Sequence, residues 1–330
     1  MSRPRPPAHG TRAVLPAFEA QLATLAKAPP EGDAWLHEQK LDGYRIGCAI
    51  DDGTVRLISR NGHDWTAKFP TIREAARRLR VEQALLDGEA AAMLPNGLTS
   101  FQALQNSFRG DAGARARVRY FVFDLLFWNG RDVGRQPLEE RKALLKQLID
   151  GHDGNEIIRF SDHIVGDGTA FLRAACAMGM EGIVSKRRDQ PYAPGRNTGW
   201  LKVKCTKRQE LVIGGFSDPE GARHGIGAVL VGYYDEDKRL IFAGRVGTGF
   251  TERMALDLRR KLDALERKQS PFAGGPLASL PKGGIHWVTP KLVCEVAFAE
   301  WTDEGSLRHP SFQGLRLDKK PTDVVRERPR

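Results

Sequence analysis

The chain lacks a long hydrophobic run and any sequence typical of a signal peptide. Among its 330 residues there is no stretch of 18 or more consecutive apolar residues, so no membrane-spanning helix is expected. The first residues, MSRPRPPAHGTR, are basic but contain no apolar segment, which argues against a secretory signal. We interpret residues 1–13 as a disordered basic arm and predict no membrane partner.

Cysteine is scarce, and its spacing is uninformative. The four cysteines are Cys48, Cys176, Cys205 and Cys294, and no two of them have C-x-x-C spacing. Neither a zinc site nor a disulfide framework is therefore expected, and the default location is a reducing cytoplasm.

Charge is abundant and its excess is positive. The chain has 51 Lys and Arg against 41 Asp and Glu, a formal net charge of +10. Both parts of the chain share this excess, since 31 basic and 24 acidic residues precede position 208. Such a balance favours a polyanionic partner, although a solvated basic surface explains it equally well.

The apolar pattern divides the chain into two regions. Before residue 208, an Asp-Gly turn at Asp52 and Gly53 predicts a β-hairpin, residues 120–128 predict a buried strand, and residues 138–149 predict a helix. After it, about five short strands and one amphipathic helix over 251–266 fit a small β-barrel of the oligonucleotide-binding (OB) type. We therefore predict domains at 14–207 and 208–330.

The string K-x-D-G-x-R occurs as Lys40, Asp42, Gly43 and Arg45. A surface hairpin with a paired lysine explains this string as readily as a reactive lysine does. Asp42 has the chemistry of a metal ligand, although an Asp before Gly more often forms a turn.

The string WLKVKC places two lysines on one strand face. Alternate side chains of a strand share a face, so Lys202 and Lys204 point together. Like charges there repel unless water screens them or an anion lies between them. The alternatives are a phosphate-binding pair and an edge strand protected by lysines.

Three further strings contain acids or an aromatic ring in suggestive places. Glu181 and Lys186 of EGIVSK form either a metal-supporting site or a simple ion pair. Glu89 of LDGE follows an Asp-Gly turn, and Phe123 lies in the apolar run; taken singly, these are a solvated acid and a core residue.

The order of these strings is more specific than any one of them. KLDGYR, SRNG, LDGE, FVFDLL, EGIVSK and LKVK resemble the nucleotidyltransferase motif series of ATP-dependent DNA ligases. The later string EVAFAEWTDEGSLRHPSFQGLRLDK is similar to the ligase domain of the bacterial end-joining ligase D. The resemblance extends from about residue 14 to 321.

The resemblance implies an α+β fold, in which a nucleotidyltransferase (adenylation) domain precedes an OB-fold β-barrel. It implies that Lys40 is the nucleophile that takes AMP from ATP. The other implied contacts are Glu38 to adenine, Phe123 stacked on the base, Glu89 to ribose or metal, Arg45 and Arg60 to nucleotide or nick phosphate, Asp42 and Glu181 to metal, Lys202 and Lys204 to the α-phosphate, and Arg316, Asp318 and Lys319 to the leaving pyrophosphate.

The implied reaction needs a neutral lysine. A free lysine has a pKa near 10.4, and lowering it by roughly 3 units requires about 4 kcal/mol. We expect Lys202, Lys204, Arg45 and a bound metal to lower the pKa of Lys40 in this way. The implied cofactors are ATP and Mg²⁺, with Mn²⁺ as an alternative.

The implied partners are nicked or broken double-stranded DNA and a Ku-like end-binding protein, at the nucleoid in the cytoplasm. We also expect a domain rotation about residues 205–210, because the barrel must face the active site and then admit DNA. An RNA ligase, a GMP-transferring capping enzyme and a non-catalytic nick-binding scaffold remain alternatives.

The sequence departs from the family pattern in two respects. Gln39 stands where the family usually has an apolar residue, which we expect a solvent-near strand to tolerate. The chain has no room for the polymerase and phosphoesterase modules that ligase D proteins often carry. We therefore expect either a stand-alone ligase or an excised domain.

Overall fold

The computed structural model describes residues 13–108, 113, 115, 117–151, 156–205, 207–219, 225–276, 280 and 284–327, without the side chains of Gln102 and Lys207. The proposed N-terminal arm lies outside these residues except for its last position. The described helices, in chain order, are α1 (Pro70–Arg77), α2 (Phe101–Ser107), α3 (Leu138–Asp150), α4 (Gly168–Ala177) and α5 (Glu252–Asp263). None of them is long and apolar enough to cross a membrane.

The strands form three main sheets. In chain order they are β1 (Gln21–Leu25), β2 (Trp35–Gln39), β3 (Tyr44–Asp51), β4 (Thr54–Ser59), β5 (Gln83–Ala92), β6 (Val118–Trp128), β7 (Arg131–Asp132), β8 (Ile158–Phe160), β9 (His163–Val165), β10 (Gly182–Arg187), β11 (Gly195–Lys204), β12 (Lys207–Ser217), β13 (Ala228–Tyr234), β14 (Leu240–Val246), β15 (Glu266–Arg267), β16 (Ile285–Phe298), β17 (Glu300–Trp301), β18 (Leu307–Arg308) and β19 (Ser311–Leu315).

The first main sheet has the order β4-β3-β5-β6-β7, with β8 paired to β6. The predicted hairpin is its β3–β4 pair, in which Asp51 lies opposite Thr54. Asp52 and Gly53 both have positive φ, at 50° and 77°, as a two-residue turn of the hairpin type requires. The local turn chemistry therefore sets the register of this pair.

Helix α3 covers this sheet and confirms the helix predicted from residue 138. It follows Pro137, whose fixed φ suits a helix start, and it buries Leu138, Leu145 and Leu148. Its apolar side chains join those of β3, β5 and β6 in the core of the first domain. Burying each such leucine contributes roughly 2 kcal/mol.

The second sheet has the order β1-β11-β10-β2-β9. Strand β2 is antiparallel to β10, with Gln39 opposite Ile183, and β10 is antiparallel to β11, with Val184 opposite Lys202. The three strings WLHEQ, GIVSKR and WLKVK are therefore side by side, although up to 165 positions separate them in the printed sequence.

The third sheet belongs to the C-terminal region and has the order β14-β13-β12-β16-β15, with β19 paired to β16. Among the residues that the structure describes, its hydrogen bonds do not close it into a complete barrel, although the elements are those of an OB fold. The predicted amphipathic helix is α5, which begins where the Thr251 side chain accepts a hydrogen bond from Met254 N at 3.2 Å. It buries Met254, Leu258 and Leu262 against this sheet.

One prediction from composition is wrong, because Cys176 and Cys205 form a disulfide. Cys176 lies in α4 and Cys205 follows β11, and 29 positions separate them in sequence. Their adjacency comes from the packing of α4 beside β10, which motif spacing does not report. Cys48 and Cys294 are buried free thiols.

Candidate active site

A cavity of about 440 Å³ lies where the first two sheets meet the C-terminal region. Every site residue predicted from the sequence lines it: Glu38, Lys40, Asp42, Arg45, Arg60, Glu89, Phe123, Glu181, Lys202, Lys204, Arg316, Asp318 and Lys319. These residues come from seven separate places in the chain. The fold therefore brings together groups whose connection in the sequence was only their order.

Lys40 enters the cavity from the end of β2. Its N–H donates to Gly182 O at 2.9 Å, which places it opposite the start of β10. The turn that follows depends on Gly43, where a Cβ would lie 2.3 Å from Ala90 O. The glycine of K-x-D-G is therefore needed for the close approach of this turn to β5. Gln39 is partly exposed, in line with its expected tolerance.

The Lys40 amine forms an ion pair with Glu181, with Nζ 2.5 Å from Oε1. Burial alone would lower the pKa of Lys40, but the charge and hydrogen bond of Glu181, aided by Glu295 and Asp42, raise it above its ordinary value. The expectation that nearby cations lower this pKa is therefore wrong for the nucleotide-free protein. Acids are the stronger neighbours of Lys40 here.

Glu38 is 2% exposed and both its carboxylate oxygens are engaged. Lys142 Nζ donates to Oε1 at 2.7 Å, Lys186 Nζ donates to Oε2 at 2.8 Å, and Ser161 Oγ donates to Oε2 at 3.3 Å. Burial would raise the pKa of Glu38, but the two lysines lower it overall. Glu38 is therefore a fixed, ionised acceptor on the cavity wall.

Lys186 does not pair with Glu181, contrary to the simple ion pair considered from the sequence. Its amine lies 4.1 Å from the Phe123 ring centroid and 4.2 Å from that of Trp200. Burial, opposed by Glu38 and aided by Lys142, lowers the pKa of Lys186 to about 8. The end of the cavity near Phe123 thus combines two aromatic rings with a cation.

Arg45 is held by a carboxylate that sequence reasoning missed. Its Nε and Nη2 donate to the two oxygens of Asp87, at 2.5 and 2.6 Å, and Tyr192 donates to the same carboxylate at 2.7 Å. The guanidinium carbon lies 4.5 Å from the Phe123 ring centroid. Arg45 therefore packs on the ring that was expected to stack on a base.

Glu89 and Asp42 are acids with raised pKa values. Burial raises the pKa of Glu89 to about 7, against the attraction of Arg45 and Lys40. Burial and the neighbouring Glu181 raise the pKa of Asp42 to about 6, and Asp42 accepts a hydrogen bond from Arg208 at 3.2 Å. Both acids face the cavity, and Asp42 also ties the first domain to β12.

Lys202 and Lys204 share one face of β11, as strand alternation predicts, and an anion does lie between them. Glu327 Oε1 is 2.6 Å from Lys202 Nζ, and its Oε2 is 3.2 Å from Lys204 Nζ. Burial and the charge of Lys204 lower the pKa of Lys202 to about 8. Lys204 also donates to Arg208 O at 2.6 Å.

The R-x-D-K residues after β19 face the same cavity from the C-terminal region. Arg316 forms hydrogen bonds with Asp318, at 2.9 and 2.8 Å, and with Glu295 at 3.1 Å, while Lys319 pairs with Glu210 at 3.0 Å. Burial lowers the pKa of Lys319.

Arg60 lines the cavity from the end of β4, and burial lowers its pKa. The next residue, Asn61, donates to Asp318 O at 2.5 Å and so joins the first domain to the R-x-D-K segment. The structure therefore has the C-terminal region docked against the first domain.

The acids of the cavity fit a divalent cation only in part. Glu181 Oε2 is buried and has no hydrogen-bond partner among the described residues, so one hard oxygen ligand is free. No group of three acid, His or Cys side chains within the described ranges is arranged to hold a metal alone. A metal at Glu181 would therefore need oxygens from a bound nucleotide.

Several residues of the site had no sequence signal of their own. Lys142 lies on a helix that was predicted only as core packing, and Glu327 lies in a polar stretch without a motif. Asp87 belongs to LDGE, whose glutamate alone was singled out. A search for acids and lysines flanking each motif would have found Asp87 but neither of the others.

Comparison with known proteins supports the domain order. A family model described as the ATP dependent DNA ligase domain matches residues 18–204, and one described as the ATP dependent DNA ligase C terminal region matches residues 222–319. The chain is 42% identical over 323 residues to the multifunctional non-homologous end joining protein LigD of Pseudomonas aeruginosa. That alignment covers 97% of this chain and 38% of the relative.

A second relative and a solved structure agree with this. The chain is 41% identical over 295 residues to the LigD protein of Mycobacterium tuberculosis, covering 89% of this chain and 37% of that one. It is 38% identical to the solved mycobacterial DNA ligase D complexed with ATP and MES, with a TM-score of 0.69, covering 94% of this chain and 98% of that chain. The chain thus spans about two fifths of the length of these curated relatives. Because the first family model alone matches more than half of the chain, this enzyme belongs to the family of ATP-dependent DNA ligases.

Proposed function

We propose that the enzyme seals 5′-phosphate/3′-hydroxyl nicks or ends in double-stranded DNA through a covalent lysyl-AMP on Lys40. The observation that carries this proposal is that all thirteen residues predicted for the reaction line one cavity. In the first step the Lys40 nitrogen bonds to the α-phosphorus of ATP and pyrophosphate leaves. AMP then passes to the 5′-phosphate, and the 3′-hydroxyl displaces it.

Glu181 controls the charge of the nucleophile. Only the neutral amine attacks phosphorus, and the Glu181 ion pair opposes loss of the Lys40 proton. The unpartnered Glu181 Oε2 offers a means of weakening this ion pair, because it can bind a divalent ion. When bound there, Mg²⁺ (or Mn²⁺) would neutralise charge on Glu181 and on the nucleotide phosphates. A neutralised Glu181 no longer stabilises the Lys40 ammonium, so the pKa of Lys40 falls.

The lysines and arginines of the cavity position and stabilise the phosphates. Catalysis of phosphoryl transfer is mainly positioning and charge neutralisation. Lys202 and Lys204 would bind the α-phosphate oxygens from β11. Arg316 and Lys319 would orient the leaving pyrophosphate from the C-terminal region, and Arg60 would bind nucleotide or nick phosphate.

The nucleoside end of the cavity fits a purine and its ribose. Phe123 would stack on the base, while Glu38, ionised and fixed, would accept a hydrogen bond from the adenine amino group. Glu89 would contact the ribose. Arg45 lies on Phe123, so we propose that it either shifts when the base enters or binds phosphate beside it.

DNA binding requires the docked C-terminal region to move. We propose domains at 14–207 and 208–330 and a rotation about residues 205–210, which would break the Arg208–Asp42 and Asn61–Asp318 contacts. Because the chain has a formal charge of +10, we expect it to bind mainly the phosphate backbone of DNA, with an affinity for DNA that falls steeply as the salt concentration rises.

The pathway rests on the relatives. Because both named LigD proteins are described as acting in non-homologous end joining, we propose repair of double-strand breaks at the nucleoid, with a Ku-like end-binding partner.

Mass spectrometry after incubation with ATP and Mg²⁺ tests the nucleophile. We expect one AMP on Lys40 and none in Lys40→Ala, together with loss of sealing on nicked duplex DNA. Lys40→Ala should still seal nicks that already carry AMP on the 5′-phosphate. AMP on another residue, or full ATP-dependent sealing by Lys40→Ala, would contradict the proposal.

A further inference from the structure

The lysine pair of β11 already holds an internal anion. The Glu327 carboxylate bridges Lys202 and Lys204, with one oxygen on each amine, and its side chain is only 15% exposed. The negative charge that offsets the repulsion between Lys202 and Lys204 is therefore supplied by Glu327 of the same chain. The two amines lower the pKa of Glu327 to about 2 against the opposing effect of burial, so the carboxylate is ionised.

The segment that carries Glu327 is anchored to the C-terminal domain. Tyr234 N donates to Val324 O at 2.8 Å, Gln209 Nε2 donates to Val325 O at 3.0 Å, and Glu327 N donates to Gln209 Oε1 at 3.1 Å. Lys202 and Lys204 belong to the first domain. The Glu327 contact therefore crosses from one domain to the other.

We propose that Glu327 occupies the place of the nucleotide α-phosphate, so that ATP must displace it before Lys40 is adenylylated. This inference rests on the proposed contact of Lys202 and Lys204 with that phosphate. A carboxylate and a phosphate cannot both lie between two amines that one carboxylate already spans. Glu327 is thus a residue of the first step that keeps the two lysines in place and sets the ATP concentration the step requires.

The exchange leaves the lysines paired throughout. Before ATP binds, the Glu327 carboxylate pairs with both of them. After ATP binds, the phosphate takes over both contacts and Glu327 moves into solvent. Because its anchors lie on β12 and β13, this release also removes one contact that docks the two domains.

The variant Glu327→Gln separates competition from structure. Glutamine keeps the size of the side chain but removes the charge that competes with phosphate. We expect the ATP concentration for half-maximal lysyl-AMP formation to fall about tenfold, while the rate at saturating ATP stays unchanged. A merely structural role would instead lower the saturating rate or raise the half-saturating concentration.

Asp323→Asn is the matched control. Asp323 is an exposed acid four positions earlier that also borders the cavity but forms no ion pair within the described part of the chain. We expect it to leave both kinetic values unchanged. An equal fall in this variant would show a general charge effect and overturn the proposal, as would an unchanged or higher half-saturating concentration in Glu327→Gln.

Hydrogen exchange gives a second measurement on the unmodified protein. The amide of Glu327 donates to Gln209 Oε1, and we expect it to exchange faster once Lys40 carries AMP. Equal protection with and without AMP would contradict displacement. If the wild-type protein took up no AMP, the proposed function would fail as well. If the wild-type protein took up AMP normally and Glu327→Gln had the same half-saturating ATP concentration as the wild type, this inference alone would be rejected.

Discussion

Lys40 Nζ lies 2.5 Å from Glu181 Oε1, so the proposed nucleophile starts as one half of an ion pair. The Lys40 side chain is 20% exposed and the Glu181 side chain 4%. This pairing positions the nitrogen at the cavity wall and at the same time holds it protonated. Activation therefore has to come from a change at Glu181 and not from crowding by the cations alone.

Glu181→Gln should lower the pKa of Lys40 in the nucleotide-free protein. Burial favours the neutral amine of Lys40, and the Glu181 carboxylate opposes this effect. Removing the carboxylate therefore lets burial lower the pKa further. We expect half-labelling of Lys40 by an amine-specific reagent to shift by at least one pH unit toward lower pH, as measured by peptide mass spectrometry.

Glu300→Gln is the control for that experiment, because Glu300 pairs with Arg308 at 2.7 Å on another part of the surface. The pH dependence of Lys40 labelling in Glu300→Gln should match that in the wild-type protein. An unchanged curve in Glu181→Gln would mean that the ion pair does not control the charge of the nucleophile.

The sequence was sufficient to predict features that depend on local pattern. The β3–β4 turn follows from Asp52-Gly53, and the common face of Lys202 and Lys204 follows from strand alternation. The order of motifs also predicted which side chains would line one cavity, because that order reflects a known fold.

The electrostatic partners could not be predicted in the same way. Glu38 and Lys142 are 104 positions apart, and Lys202 and Glu327 are 125 apart. Neither lysine nor acid has a local pattern that specifies its partner. The pKa of Lys40 was mispredicted for this reason, since it depends on which charges the fold brings nearest.

Lys142→Met should weaken selection for the adenine amino group. Lys142 is buried behind Glu38 and does not line the cavity, so its effect on the nucleotide passes through the carboxylate it holds. We expect the preference for ATP over purine riboside triphosphate, which lacks the amino group, to fall about tenfold in lysyl-AMP formation, since one charge-assisted hydrogen bond is lost.

Lys146→Met provides the comparison on the same helix. Lys146 is about half exposed and pairs with Asp150 at 3.1 Å, and like Lys142 it lies over the Phe160 ring. Its nucleotide preference should stay at the wild-type value. If Lys142→Met slowed both nucleotides equally, its role would be structural only.

Glu89→Gln should stabilise the nucleotide-free protein at pH 8 but not at pH 4. Burial raises the pKa of Glu89 from 4.5 to about 7, so the folded state holds this proton more tightly than the unfolded state. Stability from this group is therefore present below pH 4.5 and is lost as the pH rises to 7. We expect a gain of about 2 kcal/mol in the free energy of unfolding at pH 8, measured in urea. A gain of equal size at both pH values would rule out the titration of Glu89 as its cause.

The Cys176–Cys205 disulfide should stabilise the first domain, because it restricts the conformations open to the unfolded chain. A loop of 29 positions corresponds to about 3.6 kcal/mol in the chain-entropy account. Cys205 N also donates to Glu181 O at 2.9 Å, so the disulfide ends beside the residue that holds Lys40.

We expect a reductant to lower the free energy of unfolding of the wild type by about the amount that the chain-entropy account gives for this loop. It should have no effect on Cys176→Ser, which should resemble the reduced wild type. Peptide mapping without reductant must first show the linked pair, and identical unfolding curves with and without reductant would then disprove a stabilising role.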